Sequence, residues 1–276
     1  MERPFYPMII DFHTHIFPPK IAAAALEKLK GFSHIEPDTD GTLPSLRATM
    51  RKNKIDMSVV LPVVTGPKQF DSINRFAVTV NSEPDFFAFG GIHPDCENIE
   101  EKVKFIKSLG LCGIKIHPDY QGVYIDDDRY AEILRCCIQN DLYLITHSGY
   151  DCMSPNDIHC TPQRILNLLS KVYGNQKPSK IHLILAHCGA NMLWDETETL
   201  LCGIPAYFDL AFMIRKIPDE KLISIIRRHG VERILFASDS PWSDPGKDIA
   251  HLCSLPLTEQ EKKKILGENA ALLLHI

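Results

Sequence analysis

Residues 11–15 read Asp-Phe-His-Thr-His. Side chains two apart on a strand point the same way, roughly 7 Å apart along it. Both imidazoles can then reach one ion through bonds of about 2.0–2.1 Å. Groups of the same chemistry close the later apolar runs: His93, Lys115 with His117, His147, His187, Asp209 and Asp239. His13, His15, His147 and Asp239 are the expected ligands of one divalent metal, with a position left for water. Imidazole with carboxylate suits Zn²⁺ first, with Mn²⁺, Fe²⁺ or Ni²⁺ as alternatives. Such an ion lowers the pKa of its water to about 7 and so makes hydroxide available near neutral pH. His187 is expected to polarise a substrate carbonyl or move a proton.

These residues need elements that bring them to one place. Eight apolar runs are found: 8–15, 57–64, 86–93, 111–117, 142–149, 181–188, 206–212 and 233–240. Runs of Ile, Leu, Val, Phe and Tyr closed by Gly, Pro or polar residues read as strands buried on both faces. Between them the pattern predicts helices over 21–30, 46–54, 70–81, 99–109, 128–140, 162–173, 191–201 and 219–229. Thr161-Pro162 gives an N-cap with proline at the first helical position. Thr258 with Glu261 makes a capping box that opens a last helix, 259–274. The acidic run 126–128 marks another helix N-terminus. Eight βα units in a chain of 276 residues predict a single-domain α/β fold over 1–276, a (β/α)8 TIM barrel. A doubly wound open sheet is the rival. Phe12 and Thr14 are expected to face the helices, with His13 and His15 toward the barrel axis.

Composition removes several classes. The net charge is −5 without a basic run, so no nucleic-acid partner is expected. Apolar runs are strand-sized, so no membrane span is expected, and the first ten residues lack the shape of a signal peptide. The nine cysteines are odd in number and contain no C-x-x-C pair. Reduced, mostly buried thiols in a cytoplasmic protein are the expectation.

The ordered set resembles the amidohydrolase superfamily, closest to the amidohydrolase-related branch that includes aminocarboxymuconate-semialdehyde decarboxylase. "DFHTH" resembles its strand-one H-x-H, "LITHSG" its strand-five histidine, "LAHCG" its strand-six histidine and "LFASDSPW" its strand-eight aspartate. "ILGENAALLL" is similar to its C-terminal helix. The resemblance implies one catalytic metal on His13, His15, His147 and Asp239. It also implies proton handling by Asp239 in hydrolytic members, and protonation or activation by His187 in decarboxylating ones. Lys115 has two readings: a carboxylated bridge to a second metal, or a positive charge for a substrate carboxylate. His117 and His93 are candidate substrate contacts, or rim groups that hold loops, and Arg51 is a further candidate partner for a carboxylate. Asp11 reads as a floor buttress and Asp209 as a residue that orients a loop. His34, His159, His229, His251 and His275 read as surface or loop histidines, with His159 placed to overhang the site.

The function expected from the sequence is metal-dependent hydrolysis of a small molecule bearing an amide, ester or lactone carbonyl. The alternative is non-oxidative decarboxylation or hydration of a small carboxylic acid on the same site. A metal-bearing barrel that serves only as a binding scaffold is the contrasting class. A homodimer is the alternative to a monomer that the branch suggests.

Overall fold

The computed structural model describes residues 8–276. Nine parallel strand segments follow one another: β1 (Ile10–Thr14), β2 (Met57–Val60), β3 (Phe86–Ala88), β4 (Gly90–Gly91), β5 (Gly113–Ile116), β6 (Tyr143–Thr146), β7 (Leu183–Leu185), β8 (Tyr207–Asp209) and β9 (Ile234–Leu235). They make eight staves, because β3 and β4 are one stave interrupted at Phe89. There the buried amide of Asn74, on the helix Phe70–Asn81, takes the N–H of Gly91 and donates to its carbonyl, both at 3.0 Å. Phe89 still bonds Val60, so the sheet runs on through the break. The last stave meets the first: Phe12 N–H donates to the Phe236 carbonyl at 3.0 Å, and Asp239 N–H to that of His13 at 2.9 Å. The parallel sheet therefore closes into the TIM barrel.

Two apolar layers follow from the alternation of strand side chains. Ile114, Leu144, Leu183, Leu185, Phe208 and Ile234 face the helices in the larger cluster. Val59, Leu61, Phe89, Ile145, Ile184 and Leu235 fill the inside. Phe12 belongs to the inner set and meets Phe89 edge-on, ring centroids 5.9 Å apart. The expectation that Phe12 faces the helices is therefore wrong. The pairing of β1 with β2 shifts register between Asp11 and Thr14, so strict alternation fails where the two histidines begin. Asp11 lies beneath them and accepts from Ser238 N–H at 2.9 Å and Ser238 Oγ at 2.6 Å.

The helices form where capping signals stand. Thr161 caps Pro162–Tyr173, Asp127 caps Asp128–Gln139, and Thr258 with Glu261 forms the capping box. Two predicted helices are irregular, since π-helical turns occupy Thr197–Leu201 and Lys264–Glu268. A helix over Pro245–Ser254, capped by Asp244, is absent from the sequence reading. Its Asp-Pro start had the signature. His229 is fully buried rather than on the surface: it stacks on Phe208 at 3.6 Å and hydrogen-bonds the Ala206 carbonyl at 2.9 Å. All nine cysteines are free. Among the described residues no helix is long and apolar enough to cross a membrane.

Candidate metal centre

The C-terminal ends of the staves carry the predicted residues, as a barrel requires of its active face. His13 and His15 bring their Nε2 atoms to 3.0 Å from each other. Asp239 Oδ1 stands 3.5 Å from the first and 3.2 Å from the second. His187, Cys188 and Asp239 all hold positive φ, a backbone state that costs non-glycine residues energy and is concentrated at functional sites.

The proton positions follow from the partners. A backbone carbonyl can only accept, so a ring nitrogen bonded to one carries the proton. His15 Nδ1 donates to the Leu61 carbonyl at 2.8 Å, which leaves Nε2 bare. His13 Nδ1 donates to Asp209 Oδ2 at 2.8 Å, with the same result. His187 Nδ1 donates to the Ala211 carbonyl at 3.0 Å, so its Nε2 accepts from His147 Nδ1 at 2.9 Å. His147 Nε2 is then bare as well, and it is buried without a hydrogen-bond partner. His93 and His117 are the opposite tautomer. Their Nδ1 atoms accept backbone N–H groups of Asp95 at 3.1 Å and Tyr120 at 3.4 Å, so each Nε2 carries a proton. Of these six histidines, His13, His15 and His147 offer lone pairs, His93 and His117 offer N–H groups, and His187 is committed at both nitrogens.

Burial holds two of these rings, His13 and His147, neutral. It pushes His13 and His147 well below the usual imidazole range, and the Lys115 charge adds to this in both. Two lone pairs 3.0 Å apart beside a carboxylate repel one another unless a cation lies among them, and Lys115 Nζ, 3.4 Å from His13 Nε2, reaches that ring. That donor set of two imidazoles and one carboxylate fits a divalent transition metal. His13, His15 and Asp239 form one such group; His147 falls in a second group with His117 and Asp151. Three of the four expected ligands thus lie together, and the fourth, His147, presents a buried Nε2 with no hydrogen-bond partner.

Asp209 does more than orient a loop. Besides His13, its Oδ1 accepts the backbone N–H groups of His187 at 2.9 Å and Ala211 at 3.0 Å. One buried carboxylate thus fixes residues of two staves, as supporting carboxylates do at metal sites. Lys115 is fully buried, its Nζ 3.4 Å from His13 Nε2. Burial pulls it down to about 8 against the opposing pull of Asp209 and Asp239. His93 is buried at the rim, in neither ligand group. His159 is tied by Nδ1 to Asp119 at 3.1 Å and stacks on Tyr124, anchoring the 149–161 loop. Arg51 lies exposed on the helix Leu43–Asn53. Asp151 went unremarked in the sequence. Its position four residues after His147 was the available signal.

The amidohydrolase family model matches residues 10–276. No curated protein is similar enough to match the chain. Solved structures share the fold. 2,6-Dihydroxybenzoate decarboxylase from Rhizobium has a TM-score of 0.71 at 16% identity over 97% of this chain and 98% of its own. A dihydroxybenzoic acid decarboxylase from Polaromonas, solved with manganese and 2-nitroresorcinol, has a TM-score of 0.67 at 15% identity over 97% of each chain. A TIM-barrel protein from Bordetella bronchiseptica has a TM-score of 0.74 at 18% identity over 97% of this chain and 98% of its own.

Proposed function

Since the chain belongs to the amidohydrolase family, we propose that it catalyses metal-dependent, non-oxidative decarboxylation of a small carboxylic acid. The observation that carries this reading is Lys115, a fully buried ammonium 3.4 Å from a ligand-type imidazole. It is in no ion pair among the described residues. Asp209 and Asp239 act on it from a distance, but a buried charge without a direct partner is costly, and a substrate carboxylate would supply one. The decarboxylases among the structural neighbours support the same choice over the hydrolysis favoured by the sequence.

His13, His15 and Asp239 would hold the cation. Mn²⁺ stands beside Zn²⁺ as the expected metal, since the donor set takes either and a neighbour carries manganese. When bound, the ion supplies positive charge beside the substrate oxygens, where charge develops during the reaction. Lys115 binds the carboxylate. The bond from the carboxyl carbon to its neighbour breaks, the electron pair stays on that neighbour, carbon dioxide leaves, and the carbon takes one proton. That proton comes from solvent; Asp239, a carboxylate whose Oδ1 faces the same space as the two imidazole lone pairs, would take it up and pass it to the carbon, and so ends the cycle ionised as it began. His187 is committed at both ring nitrogens, so it acts through His147 as a positioning residue. His93 and His117, which present Nε2–H, are placed to donate to substrate oxygens.

The test is a panel of hydroxybenzoates and other small carboxylic acids, incubated with Mn²⁺- or Zn²⁺-loaded protein and followed by carbon dioxide release. Amides, esters and lactones run in parallel. Release that is lost in Asp239→Asn, with KM raised about tenfold or more in Lys115→Met, supports the proposal. Cleavage of the carbonyl panel without carbon dioxide would return the hydrolase reading.

A further inference from the structure

On the side of the mouth built by staves two, three and four, one side-chain amide ties the loops together. Gln121 ends the short helix Pro118–Gln121 and is buried. Its Nε2 donates to the Val64 carbonyl at 2.8 Å and to the Ile92 carbonyl at 2.7 Å. Its Oε1 accepts the His117 N–H at 3.1 Å and the Tyr130 hydroxyl at 2.8 Å. Val64 lies beyond β2, Ile92 beyond β4 and His117 beyond β5. Tyr130 stands fully buried near the start of the helix Asp128–Gln139.

The amide fits only one way round. Carbonyls accept and cannot donate, so the NH₂ faces Val64 and Ile92, and the oxygen meets the two donors. Both donor hydrogens and both acceptor lone pairs are then in use. A buried polar network that is fully satisfied is stiff, and losing one member leaves its partners unpaired. This clamp joins the backbone beside His93 to the backbone of His117, and these are the two rings that present Nε2–H. Gln121 reaches the His93 ring as well. Burial pulls that ring below the usual imidazole range, while Asp95 and a hydrogen bond with the Gln121 backbone work the other way.

We infer that Gln121 is a positioning residue: it fixes the spacing of the His93 and His117 N–H donors, and with it the spacing of substrate oxygens that the mouth accepts. Its own amide is spent on protein partners, so it acts through the two rings and not on the substrate. The spacing follows from the clamp alone. The consequence for substrates rests on the reading that both rings donate to substrate oxygens.

The test compares the full chain with Gln121→Glu and Tyr130→Phe, all with Zn²⁺ present and isotope-labelled histidine. In Gln121→Glu an oxygen replaces the NH₂, and even when protonated it can donate to only one of the two carbonyls. Tyr130→Phe removes one donor to Oε1 and leaves the other three bonds, so it serves where the first variant fails to fold. Circular dichroism melting reports the fold of each. NMR shifts of the ring nitrogens read the tautomer and setting of each histidine. The expected result is displaced His93 and His117 signals in both variants, with the enclosed His229 ring unchanged. Salicylate affinity, measured by calorimetry, should fall about tenfold in Gln121→Glu. His93 and His117 signals that stay in place in every folded variant overturn the inference. Displaced signals with salicylate affinity within about twofold of wild type overturn its consequence for substrates. Displaced signals beside a wild type that binds no salicylate uphold the spacing and count instead against the carboxylic-acid reading.

Discussion

Asp209→Asn tests whether the tautomers set the metal affinity. Oδ1 of Asp209 accepts two backbone N–H groups, at 2.9 and 3.0 Å, and Oδ2 accepts His13 Nδ1–H at 2.8 Å. An asparagine satisfies the two N–H groups with its single oxygen, so its NH₂ must face His13. Two N–H groups cannot bond each other. His13 then moves its proton to Nε2, and the lone pair that faces His15 and Asp239 is lost. Replacing such a supporting group costs about 10–100-fold in metal affinity, or roughly 1.4–2.7 kcal/mol. The fold should survive, because both backbone bonds to the side chain remain. The assay is competition with a chromophoric chelator for Mn²⁺ or Zn²⁺, beside a melting curve taken without metal. Affinity within about twofold of wild type would refute the tautomer argument.

Three other outcomes follow from the structure. His229 is held neutral by burial, with its pKa down at about 4 from 6.5. Between those values the unfolded chain binds a proton that the folded one refuses, so stability present at pH 7 falls as pH drops toward 4. Its size is on the order of 3 kcal/mol, and urea unfolding of wild type and His229→Gln at pH 7 and 4.5 checks it: the variant should lose this part of the pH slope, and an identical slope would contradict the claim. Gly149 has φ 85°, and a Cβ there would strike the backbone of Asn191. Gly149→Ala should cost about 2 kcal/mol or more and free the 149–161 loop for limited proteolysis; an unchanged midpoint and digestion pattern would count against it. Thr258→Ala removes the half of the capping box in which Thr258 Oγ1 accepts the Glu261 N–H, while the backbone N–H of residue 258 can still donate to Glu261, and should cost about 1 kcal/mol, read as a shift in urea midpoint, with no shift as the contrary result.

Much of the site was legible because a barrel strand announces its end chemically. An apolar run that stops in His, Lys or Asp places that group at the active face, and this alone located His13, His15, Lys115, His147, His187 and Asp239. The grouping was not legible. Strand ends say which side chains reach the mouth, but ring rotation decides which nitrogen faces which neighbour. That His147 also comes close to His117 and Asp151 could not be read from the strand ends. Asp209 was visible as a polar strand end, yet its role depends on a hydrogen bond 196 residues away in sequence. Phe12 was misplaced because alternation assumes an even register, and β1 slips there. His229 follows Arg227 and Arg228 in a helix whose last turn looks solvated. Only the packing of Phe208 behind it shows that the ring is enclosed.

The central claim is that this barrel removes a carboxyl group and puts a proton in its place. The most direct measurement runs the metal-loaded protein in D₂O with an acid that it consumes and follows both products by NMR. The account predicts carbon dioxide equal to product, with one deuterium on the carbon that had carried the carboxylate. Turnover of a carbonyl substrate with no carbon dioxide and no carbon-bound deuterium would contradict it.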